Sequence, residues 1–235
     1  MSWIARWFDR RVVLAGGARA RLDAWRALPE PDLAAAGLEA RCVVVDVESN
    51  GLDARRNHLI AIGAMAIESS RIVLDAGFST VLRQETASDD ANILVHRIGG
   101  SAQTGGVDSV EALLGFLEYI GKSPLVGYHA AFDEIMIAKS IRLSLGESFR
   151  RTWIDLAYLA PAMYSDKAAK MKGLDDWTAA FGIANYSRHN PLSDALATAQ
   201  LHLVLCAQAA QKGLRTPGDL LEAAESQSWL ERSRR

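Results

Sequence analysis

The chain has 235 residues, of which 49% are hydrophobic and 23% charged, and its formal net charge is −2. That length supports one substantial domain with extensions, and the composition is that of an ordinary soluble globular protein. The near-neutral balance excludes a large basic nucleic-acid surface, though not a local basic patch. Cys42 and Cys206 stand far apart and no Cys-x-x-Cys occurs, so neither a zinc knuckle nor a disulfide framework is indicated. A reducing, cytoplasmic setting is therefore expected. No apolar run reaches the roughly 20 residues of a membrane span. The opening Met-Ser-Trp-Ile-Ala-Arg-Trp-Phe-Asp-Arg-Arg carries charges where a signal peptide does not.

Residues 1–40 read as a separate helical extension. Trp3, Ile4, Trp7 and Phe8 share one face of a short helix, Gly16-Gly17 interrupts, and Leu22, Trp25 and Leu28 form a second stripe ended by Pro29 and Pro31. Such an arm packs on its own domain or on a partner subunit, and Trp with Arg also suits an interfacial membrane helix. Residues 42–48, 58–68 and 71–82 then read as three strands. Ser69-Ser70 is short enough to close a hairpin, so the block starts antiparallel. Residues 83–107 look polar and irregular. From Asp108 the period becomes helical, with Val110, Leu113, Leu114, Leu117 and Ile120 on one face and Gly121 as the stop.

The second half alternates. Residues 124–128 form a short buried strand, 132–143 a helix, 154–159 a strand or strand-to-helix junction, and 173–181 a helix. The longest helix spans 193–212, with Leu196, Gln200, Leu203 and Ala207 down one face. Thr216-Pro217-Gly218-Asp219 starts a last helix that ends in a charged tail, residues 214–235 in all. Three antiparallel strands followed by alternating helix and strand imply a mixed α/β sheet flanked by helices, with the main domain over 41–213.

Three places carry chemistry. In Val43-Val44-Val45-Asp46-Val47-Glu48 an apolar strand holds two carboxylates at i and i+2, which point to the same face. Two such acids repel, and each holds a proton unless a cation sits between them. In Tyr128-His129-Ala130-Ala131-Phe132-Asp133 a buried strand ends and a helix opens with an acid in its first turn. In Arg188-His189-Asn190-Pro191-Leu192-Ser193-Asp194 a polar loop leads into the long helix, again with an acid in its first turn. Each also has a plain structural reading: Asp133 and Asp194 suit helix N-termini, and Asp46 and Glu48 could form ion pairs. The combination favours convergence, because strand ends and helix starts of one α/β sheet meet at its ligand crevice. Four converging carboxylates need about two divalent cations, the usual machinery for displacement at phosphorus. All-oxygen ligands select Mg²⁺ or Mn²⁺, and a loop histidine suits a general base.

These stretches resemble the three motifs of the DEDDh 3′–5′ exonucleases, the family of the proofreading epsilon subunit of bacterial DNA polymerase III. Asp46-Val47-Glu48 matches the first motif, His129 to Asp133 the second, and His189 with Asp194 the third, over about residues 41–212. Val95-His96-Arg97-Ile98 resembles the family's Val-His-Gly-Ile, and Asp155 a further acidic position. The resemblance implies an RNase H-like fold. It also implies two divalent cations on Asp46, Glu48, Asp133 and Asp194, and His189 deprotonating the attacking water. Ser49 and the backbone of Asn50, Gly51 and Leu52 would receive the 3′-terminal nucleotide. Leu52 and Phe132 would pack on its base or sugar, and His96 would be a lesser contact. Ser49-Asn50 and Ala130 depart from the family's usual residues without removing a metal ligand or the base. The implied substrate is the 3′ end of single-stranded or frayed nucleic acid, with DNA ranked ahead of RNA and the choice left open by the sequence, and a DNA polymerase subunit is an implied partner. The terminal helices are candidate surfaces for docking or dimerisation. The competing reading is a non-catalytic nucleic-acid-binding or polymerase-associated module that keeps the fold.

Overall fold

A computed structural model describes residues 12–233. The sequence-predicted helix bearing Trp3, Ile4, Trp7 and Phe8 lies outside the described residues. The centre is strand β1, Cys42–Ser49, whose Val and Cys side chains are buried on both faces. It pairs antiparallel with β2, Leu59–Glu68, and parallel with β5, Leu125–Gly127, which pairs parallel with β6, Trp153–Asp155. Strand β2 turns through Ser69 and Ser70, both left-handed at φ 51° and 58°, into β3, Arg71–Ile72. Left-handed conformation at both central residues is the signature of the type I′ hairpin turn.

The predicted third strand is broken. After β3, Leu74–Ala76 coils into a 3₁₀ turn, and pairing with β2 resumes in β4, Phe78–Val81. Asp75, Ala76 and Gly77 are weak strand formers, and the break falls on them. The resulting six-stranded sheet runs β3-β2-β1-β5-β6, with β4 also on β2.

Helices cover both faces, so the core strands need no polar face. On one side, Val43, Val45 and Val47 pack with α4 (Ser109–Ile120) and α5 (Ala131–Leu145). On the other, Cys42, Val44, Met65 and Ile67 pack with α6 (Leu156–Met163), α9 (Pro191–Gln211) and α10 (Pro217–Ser233). The buried arc of α9 is Ala195, Thr198, Leu201, His202, Leu205 and Ala209. The stripe read from the sequence, through Leu196 and Ala207, lies to its side. Leu201 and Leu205 are buried there beside alanines, whereas Leu196 and Leu203 are only partly buried, so large apolar residues alone misplace the face.

Helix α1, Gly16–Arg26, begins at the paired glycines and is not separate from the domain. Leu22 and Trp25 join the same buried cluster as Val43 and Val45. Trp25 Nε1 donates to the Gly121 carbonyl at 2.8 Å, and Arg21 pairs with Glu111 and Glu118. Leu28 lies beyond the helix and is exposed. At the other end, Leu220 and Ala224 of α10 enter the second cluster. Both described terminal helices therefore pack on their own domain, although Trp229 and Leu230 of α10 stay exposed. Residues 83–107, read as irregular, contain two short helices, α2 (Asp90–His96) and α3 (Gly100–Thr104). The first is started by the Asp89 cap, a polar signal easily taken for loop. Helices α7 (Ser165–Ala168) and α8 (Leu174–Ala180) complete the chain. Among the described residues no helix is long and apolar enough to cross a membrane.

Candidate active site

Asp46 and Glu48 share a face of β1 with Val44, the face covered by α9. The register slips between Glu48 and Ser49, a bulge that ends regular pairing where the two acids stand. Opposite Asp46 in the pairing is Gly63. A Cβ on Gly63 would lie 2.1 Å from the Pro191 carbonyl carbon and 2.3 Å from the Leu192 nitrogen. The glycine is thus the notch that admits the first turn of α9, and with it Asp194, to the sheet. Sequence reasoning passed over Gly63; a lone glycine inside an apolar strand was the signal for close backbone approach.

The start of α9 is built for this approach. His189 is left-handed at φ 62°, Asn190 Oδ1 accepts the Ser193 N–H at 3.1 Å, and Pro191 takes the first helical position. The result brings carboxylate oxygens of Asp46, Glu48 and Asp194 within 4.8 Å of one another. Asp133 enters from the first turn of α5, buried, with Oδ1 accepting the Val47 N–H at 3.1 Å. Its place depends on Asp155, which pairs with Gly127 in the sheet. Asp155 accepts the N–H groups of His129 (2.9 Å), Ala130 (3.1 Å) and Ala157 (3.0 Å). One carboxylate thereby caps α6 and holds the turn that begins α5.

Electrostatically the cluster is under stress. Burial pushes the Asp46 carboxyl well above its ordinary value, and Asp133, Asp194 and Glu48 push it further, with Arg188 pulling it back. Glu48 is pushed up to about 7 by burial and by Asp194, again with Arg188 opposing. Asp133 is raised by burial, against two backbone donors. Arg188, quoted in the third motif but given no role from sequence, bridges one acid of the cluster to α8: Nη1 lies 2.7 Å from Asp194 Oδ1 and Nε 3.0 Å from Asp175 Oδ1. Asp194 also accepts from the Asn185 amide and from the His189 N–H at 2.8 Å. His189 itself is exposed. Acids held this close, with one arginine among them, fit hard divalent cations as oxygen ligands.

The segment after β1 is satisfied internally. Ser49 Oγ donates to the Gly51 carbonyl at 2.7 Å, and Asn50 Oδ1 accepts the His58 N–H at 2.6 Å. Leu52 is 91% exposed, while Phe132 is half-buried against the core. His96 is buried and presents no surface to a nucleotide. Its Nδ1 accepts the Ile98 N–H at 3.0 Å, which leaves Nε2 to donate to Asn92 Oδ1 at 2.7 Å. Asn92 Nδ2 in turn donates to the Ser49 carbonyl at 3.1 Å, so His96 reaches the segment only through Asn92. Arg97 follows in the left-handed conformation, φ 58°, where the resembled motif has glycine.

Fold and site together define a carboxylate-centred exonuclease domain. A family model described as Exonuclease matches residues 43–202. The chain belongs to this exonuclease family, that of the DnaQ-like 3′–5′ exonucleases. It is 29% identical over 159 residues to DNA polymerase III PolC-type of Clostridium perfringens, covering 68% of this chain and 11% of that protein. It is 25% identical over 166 residues to DNA polymerase III subunit epsilon of Aquifex aeolicus, covering 71% of this chain and 80% of that one. The chain thus spans only 11–13% of the length of PolC-type relatives. In fold it is similar to E. coli Exonuclease I in complex with a dA16 oligonucleotide, with a TM-score of 0.64 at 12% identity over 78% of this chain and 42% of that one. Exonuclease X in complex with 5′ overhanging duplex DNA gives a TM-score of 0.59 at 15% identity, over 78% of this chain and 99% of that one.

Proposed function

We propose that the protein is a divalent-metal-dependent 3′–5′ exonuclease that removes nucleotides from single-stranded or frayed 3′ ends, DNA in preference to RNA. The observation that carries this is the meeting of Asp46, Glu48 and Asp194 within 4.8 Å, with Asp133 buried beside them. DNA is favoured because the relatives are DNA polymerase III proteins and the similar structures hold DNA. The same relatives support association with a DNA polymerase. Asp46, Glu48, Asp133 and Asp194 would hold two cations, Mg²⁺ or Mn²⁺. When bound, such a pair polarises the phosphoryl group and neutralises charge during in-line displacement.

The chain's own residues do the rest. His189, exposed on its loop and anchored through its N–H to Asp194, takes the proton from the attacking water. Anchoring base and ligand to one carboxylate keeps their relative position fixed. Arg188 holds Asp194 in place and offsets part of the charge that the four acids share. The backbone of Ser49 to Leu52 seats the terminal nucleotide, with Leu52 and Phe132 as apolar walls. Apolar walls accept any base, which suits cleavage blind to sequence.

A 5′-labelled oligonucleotide tests the reading. With Mg²⁺ or Mn²⁺ it should shorten from the 3′ end one nucleotide at a time, single strands and mismatched ends faster than matched duplex or RNA. Shortening that persists in EDTA would overturn the metal mechanism, and release of internal fragments would overturn the exonuclease assignment.

A further inference from the structure

The turn at residues 53–57 hangs from one side chain of another element. Lys139 Nζ, on α5, donates to the main-chain oxygens of Ala54 (3.2 Å), Arg55 (2.9 Å) and Asn57 (2.8 Å). An ammonium has three protons, and all three go to this turn. The turn is tied onward to the nucleotide seat. Asp53 N–H donates to Asn57 Oδ1 at 2.9 Å, and Asn57 Nδ2 donates to the Asn50 carbonyl at 3.0 Å. At Gly51, φ is +149° and a Cβ would stand 2.7 Å from Asn57 Nδ2, so only glycine lets that amide close in.

Lys139 and Phe132 are seven residues apart on α5, almost two full turns, and so lie on one side of the helix about 10 Å apart along its axis. One helix therefore carries both the aromatic wall of the seat and the anchor of the opposite wall. We propose that Lys139 is a positioning residue that sets the gap between the 50–57 turn and Phe132, and through it the affinity for the 3′-terminal nucleotide. The proposal rests on reading Ser49 to Leu52 and Phe132 as the nucleotide seat. Three carbonyls converging on one nitrogen suit a compact ammonium and not a planar guanidinium fork. Lys139→Arg is therefore not a conservative change here.

The test uses the full chain and Lys139→Met, which keeps the apolar stem and removes the three protons. Three quantities are read: trypsin cleavage after the exposed Arg55 and Arg56, the Kd for dTMP, and KM and kcat on a short single-stranded DNA. Losing hydrogen bonds from a charged donor should raise the dTMP Kd and KM about tenfold or more. Because the loss falls on ground-state and transition-state binding alike, kcat should move by less than about threefold. Trypsin should cut the turn faster, and Lys139→Arg should behave like Lys139→Met. Asn57→Ser, which severs the same link at its other end, should reproduce the KM rise and carries the test if Lys139→Met does not fold. A protected turn, or a freed turn with unchanged KM and dTMP Kd, overturns the proposal. Wild-type protein that leaves the DNA intact overturns the exonuclease reading instead, while the trypsin and dTMP measurements still judge Lys139.

Discussion

The carboxylate end of β1 and the turn that follows it are adjacent in sequence and opposite in physical character. At Asp46 and Glu48, acids crowd together. No donor among the described residues reaches either carboxylate, and burial with mutual repulsion holds both protonated more than usual. Between Ser49 and His58, nearly the reverse holds: hydroxyl, amide and carbonyl groups find partners within the turn or from Lys139. An unsatisfied cluster is costly and persists where function needs it. A satisfied turn is a rigid shape. The first region should respond to charge and cations, the second to geometry.

The largest effect should come from Asp46→Asn. It keeps the shape of the side chain and removes one repelling charge. Hydrolysis should fall by about a thousandfold or more, roughly 4 kcal/mol of transition-state stabilisation. Yet the metal-free variant should melt at a higher temperature than wild type, because a frustrated charge is gone. Loss of activity with lower stability would break the comparison. Next, His189→Gln should lower kcat by about 10²–10⁴, the usual worth of a general base. The fall of wild-type activity on acidification should be absent from the variant's profile; matching profiles would rule the role out.

Gly63→Ala sharpens the comparison from outside both regions. The new methyl group meets Pro191 backbone, so α9 must shift and carry Asp194 away from Asp46. A cost of about 1–3 kcal/mol is expected from overpacking, together with weaker cation binding. Unfolding midpoints and Mn²⁺ affinity check this. The smallest effect is on pH. Glu48 stands raised from 4.5 to about 7 in the folded protein. A carboxyl raised by folding adds stability below its unfolded value and loses it as pH climbs through the folded one. The metal-free protein should therefore melt lower at pH 8 than at pH 5, and a saturating divalent cation should reverse the trend. A melting temperature that rises over that window without metal would contradict the sign.

Much of this was legible in the sequence, for a reason that differs by residue. Asp46 and Glu48 stand out because charge in a β-branched run is conspicuous, and Asp133, His189 and Asp194 because their spacing resembles the exonuclease motifs. The antiparallel start and the later alternation of helix and strand followed from period and turn chemistry. Lys139 was not legible, since its partners are carbonyl oxygens, which every residue type carries. Gly63 declares a close approach but not to what. The buried arc of α9 was misplaced because the partly buried Leu196 and Leu203 carry the same hydrophobic signal as the fully buried Leu201 and Leu205. His96, matched by motif, turned out buried with its ring engaged by Asn92 and Ile98, a geometry that pattern alone does not contain.

The most direct measurement is calorimetric titration of metal-free protein with Mn²⁺ at pH 8, beside Asp46→Asn under identical conditions. The wild type should bind two cations with release of protons from the raised carboxyls, and the variant should lose at least one site. Absence of binding to the wild type, or indistinguishable isotherms for the two proteins, would contradict the assignment of Asp46, Glu48, Asp133 and Asp194 as a cation-holding set.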